Sequence, residues 1–120
     1  MNLTDGEIIA QDGKPVFKNG HMELPVPELY KGKVSGNVTL GIRPEHVVVE
    51  EKSGQVPDTI DLVEPMGKET LLYFEAGEER PFIVIVEGLA DDELQSGQDV
   101  KLTFPEDKVF FFDKEGQRIR

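Results

Sequence analysis

Val38-Thr39-Leu40-Gly41-Ile42-Arg43-Pro44-Glu45-His46-Val47-Val48-Val49 decides the fold, because a charged, proline-pinned corner here interrupts the most regular apolar rhythm in the chain. Val38, Leu40 and Ile42 alternate with Asn37, Thr39 and Gly41, the period-2 pattern of a half-buried strand. Val47-Val48-Val49 begins a second β run. Between the two, Pro44 has no N–H for a ladder and biases Arg43 toward extended geometry. Arg43 and Glu45 carry opposite charges on either side of the proline. The expectation is a strand corner clamped by an Arg43–Glu45 ion pair.

Upstream of that corner, Asp5-Gly6, Asp12-Gly13 and Asn19-Gly20 each suit the positive-φ positions of tight hairpin turns. They separate Glu7–Gln11, Pro15–Lys18 and His21–Leu24, runs too short for helices, and predict a three-stranded meander. Pro25 and Pro27 stop the third run, and Glu28-Leu29-Tyr30-Lys31 has room for one helical turn before Gly32. Downstream, Val56 to Glu64 alternates unevenly, offering Ile60, Leu62 and Val63 to a core. Pro65-Met66-Gly67 turns the chain into a strand over Thr70–Glu75. Ala76–Arg80 reads as a polar hairpin loop before Phe82-Ile83-Val84-Ile85-Val86, a run apolar enough to be central in a sheet. Ala90–Leu94 is the best helix candidate, stopped by Ser96-Gly97. Val100–Phe104 alternates cleanly until Pro105, Val109–Phe112 gives one more strand, and Gly116 turns the chain toward Ile119. Roughly eight to ten short strands with almost no helix predict an all-β barrel or sandwich. One domain is expected, with a minor seam near Lys31–Asn37 dividing a meander over residues 1–32 from barrel strands over 33–120.

At 120 residues, such a domain buries roughly 65% of its unfolded surface without staples. The absence of cysteine excludes disulfides and thiolate metal or redox chemistry. The net charge of −11, from 13 basic and 24 acidic residues, repels phosphate backbones and anionic lipid, so nucleic-acid binding is disfavoured. The opening residues have neither a basic n-region nor an apolar h-region, so no secretory signal is expected. No apolar run approaches the roughly 20 residues that span a bilayer.

Three strings imitate nucleotide-binding motifs and fail on chemistry. Met66-Gly67-Lys68-Glu69-Thr70 resembles the end of a phosphate loop, yet Leu62 stands where the first glycine belongs and Glu69 where the magnesium-binding hydroxyl belongs. Leu94-Gln95-Ser96-Gly97-Gln98 resembles the ABC-ATPase signature but runs into a strand rather than opening a helix. Phe112-Asp113 imitates a strand ending in a magnesium-binding aspartate, with no phosphate loop to serve. The first two read as turns and the third as a core strand with Asp113 in the turn after it, and catalysis is not expected. His21 and His46 have no metal-ligand spacing, and Ser35, Ser53 and Ser96 have no triad context. Asp91-Asp92-Glu93 reads as a solvated helix start, and the Phe110–Phe112 run as core or interface rather than a base-stacking platform.

Gly41-Ile42-Arg43-Pro44-Glu45 also resembles the Gly-Ile-Arg-Pro-Glu motif in the C-terminal regulatory domain of ATPase subunits of sugar-type ABC importers, the maltose, multiple-sugar and glycerol-3-phosphate class. Further pieces match in order. Met1-Asn2 resembles the segment following the nucleotide-binding domain, and Leu24-Pro25-Val26-Pro27 a short Leu-Pro-Leu-Pro element. Val63-Glu64-Pro65-Met66-Gly67-Lys68-Glu69-Thr70-Leu71-Leu72-Tyr73 is similar to a Val-Glu-Pro-Leu-Gly-Ser-Glu-Thr-Leu-Val-Tyr run, with Lys68 replacing serine. Gly97–Leu102, Phe112-Asp113 and Gly116–Ile119 resemble the closing strands and tail.

The resemblance covers essentially the whole chain and implies an oligonucleotide/oligosaccharide-binding (OB) type β-barrel of the transport-associated (TOBE, or MOP-like) variety, with additional strands. It implies a non-catalytic regulatory and dimerisation domain, with Gly41, Ile42, Arg43, Pro44 and Glu45 as a structural corner. Implied partners are a twin subunit, the ATPase domain of the same subunit, the membrane subunits indirectly and a regulatory protein. The implied location is the cytoplasmic face of the cell membrane. No cofactor is implied in this domain, because ATP and magnesium belong to the ATPase domain, whose loops this chain lacks. The start at the family's domain junction leads us to expect an excised piece of a longer subunit rather than a free-standing relative. The alternative is a small-ligand module for an oxyanion or a sugar. The Ser-Ala-Arg-Asn segment typical of the oxyanion binders is absent, and Tyr30 and Tyr73 are the candidate sugar-stacking rings, although a buried or interface position is the expectation for both.

Overall fold

Two five-stranded antiparallel sheets make up the computed structural model, which describes residues 1–74, 82–87 and 94–119. The first sheet contains β1 (Asn2–Gln11), β2 (Lys14–Lys18), β3 (Glu23–Pro25), β4 (Gly36–Ile42) and β10 (Phe110–Phe112), in the order β10-β4-β1-β2-β3. The second contains β5 (Val48–Glu50), β6 (Val56–Pro65), β7 (Glu69–Phe74), β8 (Phe82–Glu87) and β9 (Asp99–Thr103), in the order β5-β9-β6-β7-β8. The expected all-β, OB-type architecture with little helix is therefore present, and its only helical pieces among the described residues are three short 3₁₀ turns. The loop expected at Ala76–Arg80 and most of the helix expected at Ala90–Leu94 lie outside the described residues.

Alternation builds the core. Val38, Leu40 and Ile42 on β4, Leu72 and Phe74 on β7, and Val100 and Leu102 on β9 point inward and are buried. Phe17, Tyr30 and Phe111 fill one end, with Tyr30 edge-on to Phe111 at 5.0 Å between ring centroids. Phe82 stacks on Phe104 at 5.8 Å. Each such side chain contributes on the order of 1.5–3 kcal/mol by leaving water.

The meander forms, with two corrections to its turns. Asp12 and Gly13 have φ of 54° and 78°, the pair of left-handed residues that a two-residue hairpin requires. The Asn19-Gly20 turn is closed differently, by the Asn19 side chain. Its Oδ1 accepts the N–H groups of His21 and Met22 at 2.8 and 3.0 Å, while its Nδ2 donates to Thr4 Oγ1 and the Asp5 carbonyl. Asp5-Gly6 is not a turn at all. Gly6 lies inside β1 opposite Val38, and a Cβ there would stand 2.4 Å from Cζ of Phe17. The glycine is needed for the close approach of a buried ring.

The division at residue 32 does not coincide with a boundary between sheets. β1 pairs with β4 from Asn2↔Ile42 to Ile8↔Gly36, and β10 adds to the same sheet beside β4. β4 is paired along both edges, and the meander supplies one of its two neighbours. A single apolar cluster runs through both halves.

β6 explains the uneven alternation read from Val56 to Glu64. A bulge between Ile60 and Leu62 inserts one extra residue, so Ile60 pairs with Phe74 but Leu62 pairs with Tyr73. Leu62 is thereby turned outward, 51% exposed, and Val63 takes the inward place against the core. β8, expected to be central, is instead the last strand of its sheet. Its inner face packs on the core, and the N–H and carbonyl of Ile83 are both taken by the side-chain amide of Asn2.

Candidate functional site

The corner after β4 is where the chain leaves one sheet for the other. Ile42 is fully buried at the strand end, and Arg43 follows in extended geometry with φ −74° and ψ 143°. Pro44 then occupies the first position of a 3₁₀ turn, Pro44–His46, where its missing N–H costs nothing. The His46 N–H closes the turn onto the Arg43 carbonyl at 3.0 Å, and Val47 returns to the core. Gly41 leaves room for neighbours, because a Cβ there would stand 2.9 Å from both Met1 Sδ and Phe112 Cε2.

The expected Arg43–Glu45 clamp is absent. Both residues are exposed, and the ion pairs among the described residues join Lys18 to Glu23 and Lys31 to Glu28. An exposed pair gains little in water against the entropy of fixing two long side chains. The proline and the turn hydrogen bond hold the corner instead.

The return crossing uses the same device. Phe104, buried, is followed by Pro105 and the 3₁₀ turn Glu106–Lys108, closed by the Lys108 N–H on the Pro105 carbonyl at 2.9 Å, and buried Val109 leads into β10. A third turn, Glu28–Tyr30 after Pro27, aims the Tyr30 hydroxyl at the Val109 carbonyl, 3.1 Å away. Tyr30 is thus a buried strut and not a sugar platform. Tyr73 lies on the outer face of β7, its hydroxyl donating to Glu64 Oε1 at 3.1 Å, and the carboxylate holds the phenol above its ordinary range.

The nucleotide-like strings are turns. Met66-Gly67-Lys68 joins β6 to β7, with Gly67 at φ 82° and the Met66 N–H on the Glu69 carbonyl. Asp113 Oδ1 accepts the N–H groups of Glu115 and Gln117, shaping the turn that folds the tail back over β10. Ser96-Gly97-Gln98 is the latch of the β6 bulge. The Ser96 hydroxyl donates to the Asp61 carbonyl at 2.6 Å, the Gly97 N–H to the Ile60 carbonyl, and the Ile60 N–H to the Gln98 carbonyl. That role was not visible in the sequence, because nothing local marks residues about 35 positions apart as partners.

Among the described residues no three His, Asp or Glu side chains come close enough to share an ion. Asp91 to Glu93 lie outside the described residues. The Ser53 hydroxyl donates to Glu50. His46 Nδ1 is buried without a hydrogen-bond partner. A depression of about 640 Å³ lies where the β2–β3 turn and the β10 tail meet β1 and β4. Asp5, Glu7 and Asp113 line it with Lys18 and Lys114, a mixed surface of donors and acceptors. Asp58, on β6, is half-buried, and that burial raises its carboxyl above the usual range against the opposing effects of the Thr59 N–H and the nearby His21.

Residues 40–112 match the family model of the TOBE domain, and residues 1–47 match that of the MalK OB fold domain. The chain belongs to the TOBE domain family. The two matches overlap across the Pro44 corner, the point where this TOBE domain passes from sheet to sheet. Over 99% of its length it is 34% identical to the sn-glycerol-3-phosphate import ATP-binding protein UgpC of Salmonella typhimurium, and 31% identical to UgpC of Escherichia coli strain K12. It spans about a third of the length of these curated relatives, 33% in both cases. A solved structure of the cytoplasmic molybdate-binding protein ModG, with molybdate bound, shares the fold at a TM-score of 0.61. That likeness covers 92% of this chain and 94% of ModG at 10% identity.

Proposed function

We propose that this TOBE domain is the non-catalytic regulatory and dimerisation part of the ATP-binding subunit of a carbohydrate-type ABC importer. The observation that carries the reading is the match to UgpC proteins over 99% of the chain and only 33% of theirs. An ATP-binding importer subunit needs a phosphate loop, and this chain offers only turns where its sequence imitates one. ATP hydrolysis belongs to the remaining two-thirds of such a subunit, and this domain contributes no cofactor site. Its work is mechanical. Paired TOBE domains hold two ATPase domains together while these open and close, at the cytoplasmic face of the membrane beside the transporter's membrane subunits. A regulatory protein that prefers one pairing shifts that equilibrium only by its differential affinity for the two states.

A second reading, a stand-alone small-ligand module, is favoured by the groove between Asp5, Lys18 and Asp113, whose mixed donors and acceptors suit a sugar better than an oxyanion.

A chimera tests the first reading. The matching third of Escherichia coli UgpC is replaced by this chain and sn-glycerol-3-phosphate import is measured in cells. The chimera is expected to import faster than UgpC truncated of that third. Import no better than the truncation overturns the proposal.

A further inference from the structure

The outer face of β6–β7–β8 departs from the rule that the solvent side of an antiparallel sheet is polar. Across it run two rows set by the strand register, Leu62–Tyr73–Ile83 and Glu64–Leu71–Ile85. Five of these six side chains are apolar or aromatic, and the β6 bulge is what turns Leu62 into the group. Elsewhere on the same sheet the outward positions are mostly polar, Pro57 of β6 and the exposed Val48 of β5 being the exceptions. β6 before the bulge presents Pro57, Thr59 and Asp61, and β9 presents Asp99, Lys101 and Thr103. The apolar stripe is therefore confined to three strands at one end of the sheet.

Its rim is acidic. Glu64 flanks Leu71, and in the next row Glu69 stands directly opposite Glu87. Like charges facing each other across a strand pair are destabilising. Lys68 is in the turn beyond Glu69 and leaves the three carboxylates in excess. A cation brought to this face relieves the Glu69–Glu87 repulsion, so charge specifies the occupant. A second copy of the chain brings the same three carboxylates and another −11 charges, and an anionic membrane is repelled in the same way. Three strands spaced about 4.8 Å apart, six residues long at roughly 3.4 Å each, give a face on the order of 300 Å². That is well under the ~800 Å² per partner of a globular interface and matches one face of a short helix or strand.

We propose that the outer face of β6–β7–β8 is a docking surface for a short protein segment whose apolar stripe is flanked by lysine or arginine side chains. The stripe of the partner covers Leu71, Tyr73, Ile83 and Ile85 with Leu62, and its cations meet Glu64, Glu69 and Glu87. The surface is independent of the pairing reading, since domains can pair elsewhere and still present it.

The test is an NMR titration of the 120-residue chain with a helical peptide of about 18 residues, roughly 27 Å long, leucine along one face and lysine beside it. A control peptide keeps the lysines and replaces every leucine with alanine. Saturable shifts centred on residues 62–64, 69–73 and 83–87 are expected, with the control binding at least about tenfold more weakly. The double variant Leu71→Thr, Ile85→Thr keeps strand-forming residues at half-buried positions of the outer face and is expected to weaken binding about tenfold. Glu69→Gln with Glu87→Gln is expected to reduce its salt dependence. Equal binding of the two peptides, shifts centred elsewhere, or an unchanged affinity in the threonine variant overturns the proposal. So does concentration-dependent broadening of the same amides without peptide, which assigns the face to a second copy.

Discussion

Gly6 shows how one residue's meaning depends on a contact far away in sequence. Read locally, Asp5-Gly6 is a turn signal, because glycine and aspartate favour tight turns. In the fold, the missing Cβ is what admits the Phe17 ring against β1, and the Lys18 carbonyl lies 2.9 Å from the same point. Gly6→Ala is expected to destabilise the domain by about 1–3 kcal/mol through overpacking. Adding Phe17→Leu recovers part of that loss, measurable as a coupling in a denaturation double-mutant cycle. Asp58 makes a pH-dependent prediction. Its folded carboxyl is raised mainly by burial, so the folded state holds a proton more tightly than the unfolded chain. Stability attributable to this residue is highest below the ordinary carboxylate range, ~3.9, and declines as pH rises through the folded value. Asp58→Asn is therefore expected to raise the melting temperature slightly at pH 7, with the gain vanishing near pH 3 to 4. The amide oxygen of the substituted side chain can still accept the Thr59 N–H that Asp58 Oδ1 accepts now. A gain that persists in acid contradicts the burial argument.

Among the elements, those fixed by local chemistry were legible and those fixed by partners were not. Val38-Leu40-Ile42 became β4, Pro44 became a corner, and Asp12-Gly13 became a hairpin turn, because period and permitted φ are properties of the residues themselves. The β6 bulge, the edge position of β8 and the Ser96 latch depend on which strands meet, which no short stretch encodes. The Arg43–Glu45 clamp failed for an energetic reason, since two exposed charges gain too little to hold each other. Asn2 is the clearest instance of a partner-dependent role. Its amide closes the gap between β1 and the outer edge of β8, supplying a donor and an acceptor to Ile83 where no described strand pairs. Asn2→Ala leaves both Ile83 groups without their partners and is expected to cost about 1–3 kcal/mol. Amide hydrogen exchange is expected to accelerate at Ile83 ahead of the core strands β4 and β7. Uniform acceleration across both sheets contradicts a local clip.

For the whole molecule, the match to one family model begins near the sheet-to-sheet crossing at Pro44 and the other ends there. The family and the all-β class were readable from ordered short motifs. The candidate site was readable only as a string, Gly41 to Glu45, because what that corner joins is a property of the two sheets together. The pairing role attributed to the domain makes a demand on the isolated chain, since surfaces that hold two subunits together retain affinity for each other. Sedimentation equilibrium of the 120-residue chain across roughly 1–200 μM, a range that reports association free energies of about −5 to −8 kcal/mol, measures it directly. We predict a weight-average mass rising with concentration from 13.4 kDa toward about twice that value, as for a closed dimer. A mass that stays at the monomer value throughout contradicts the pairing role.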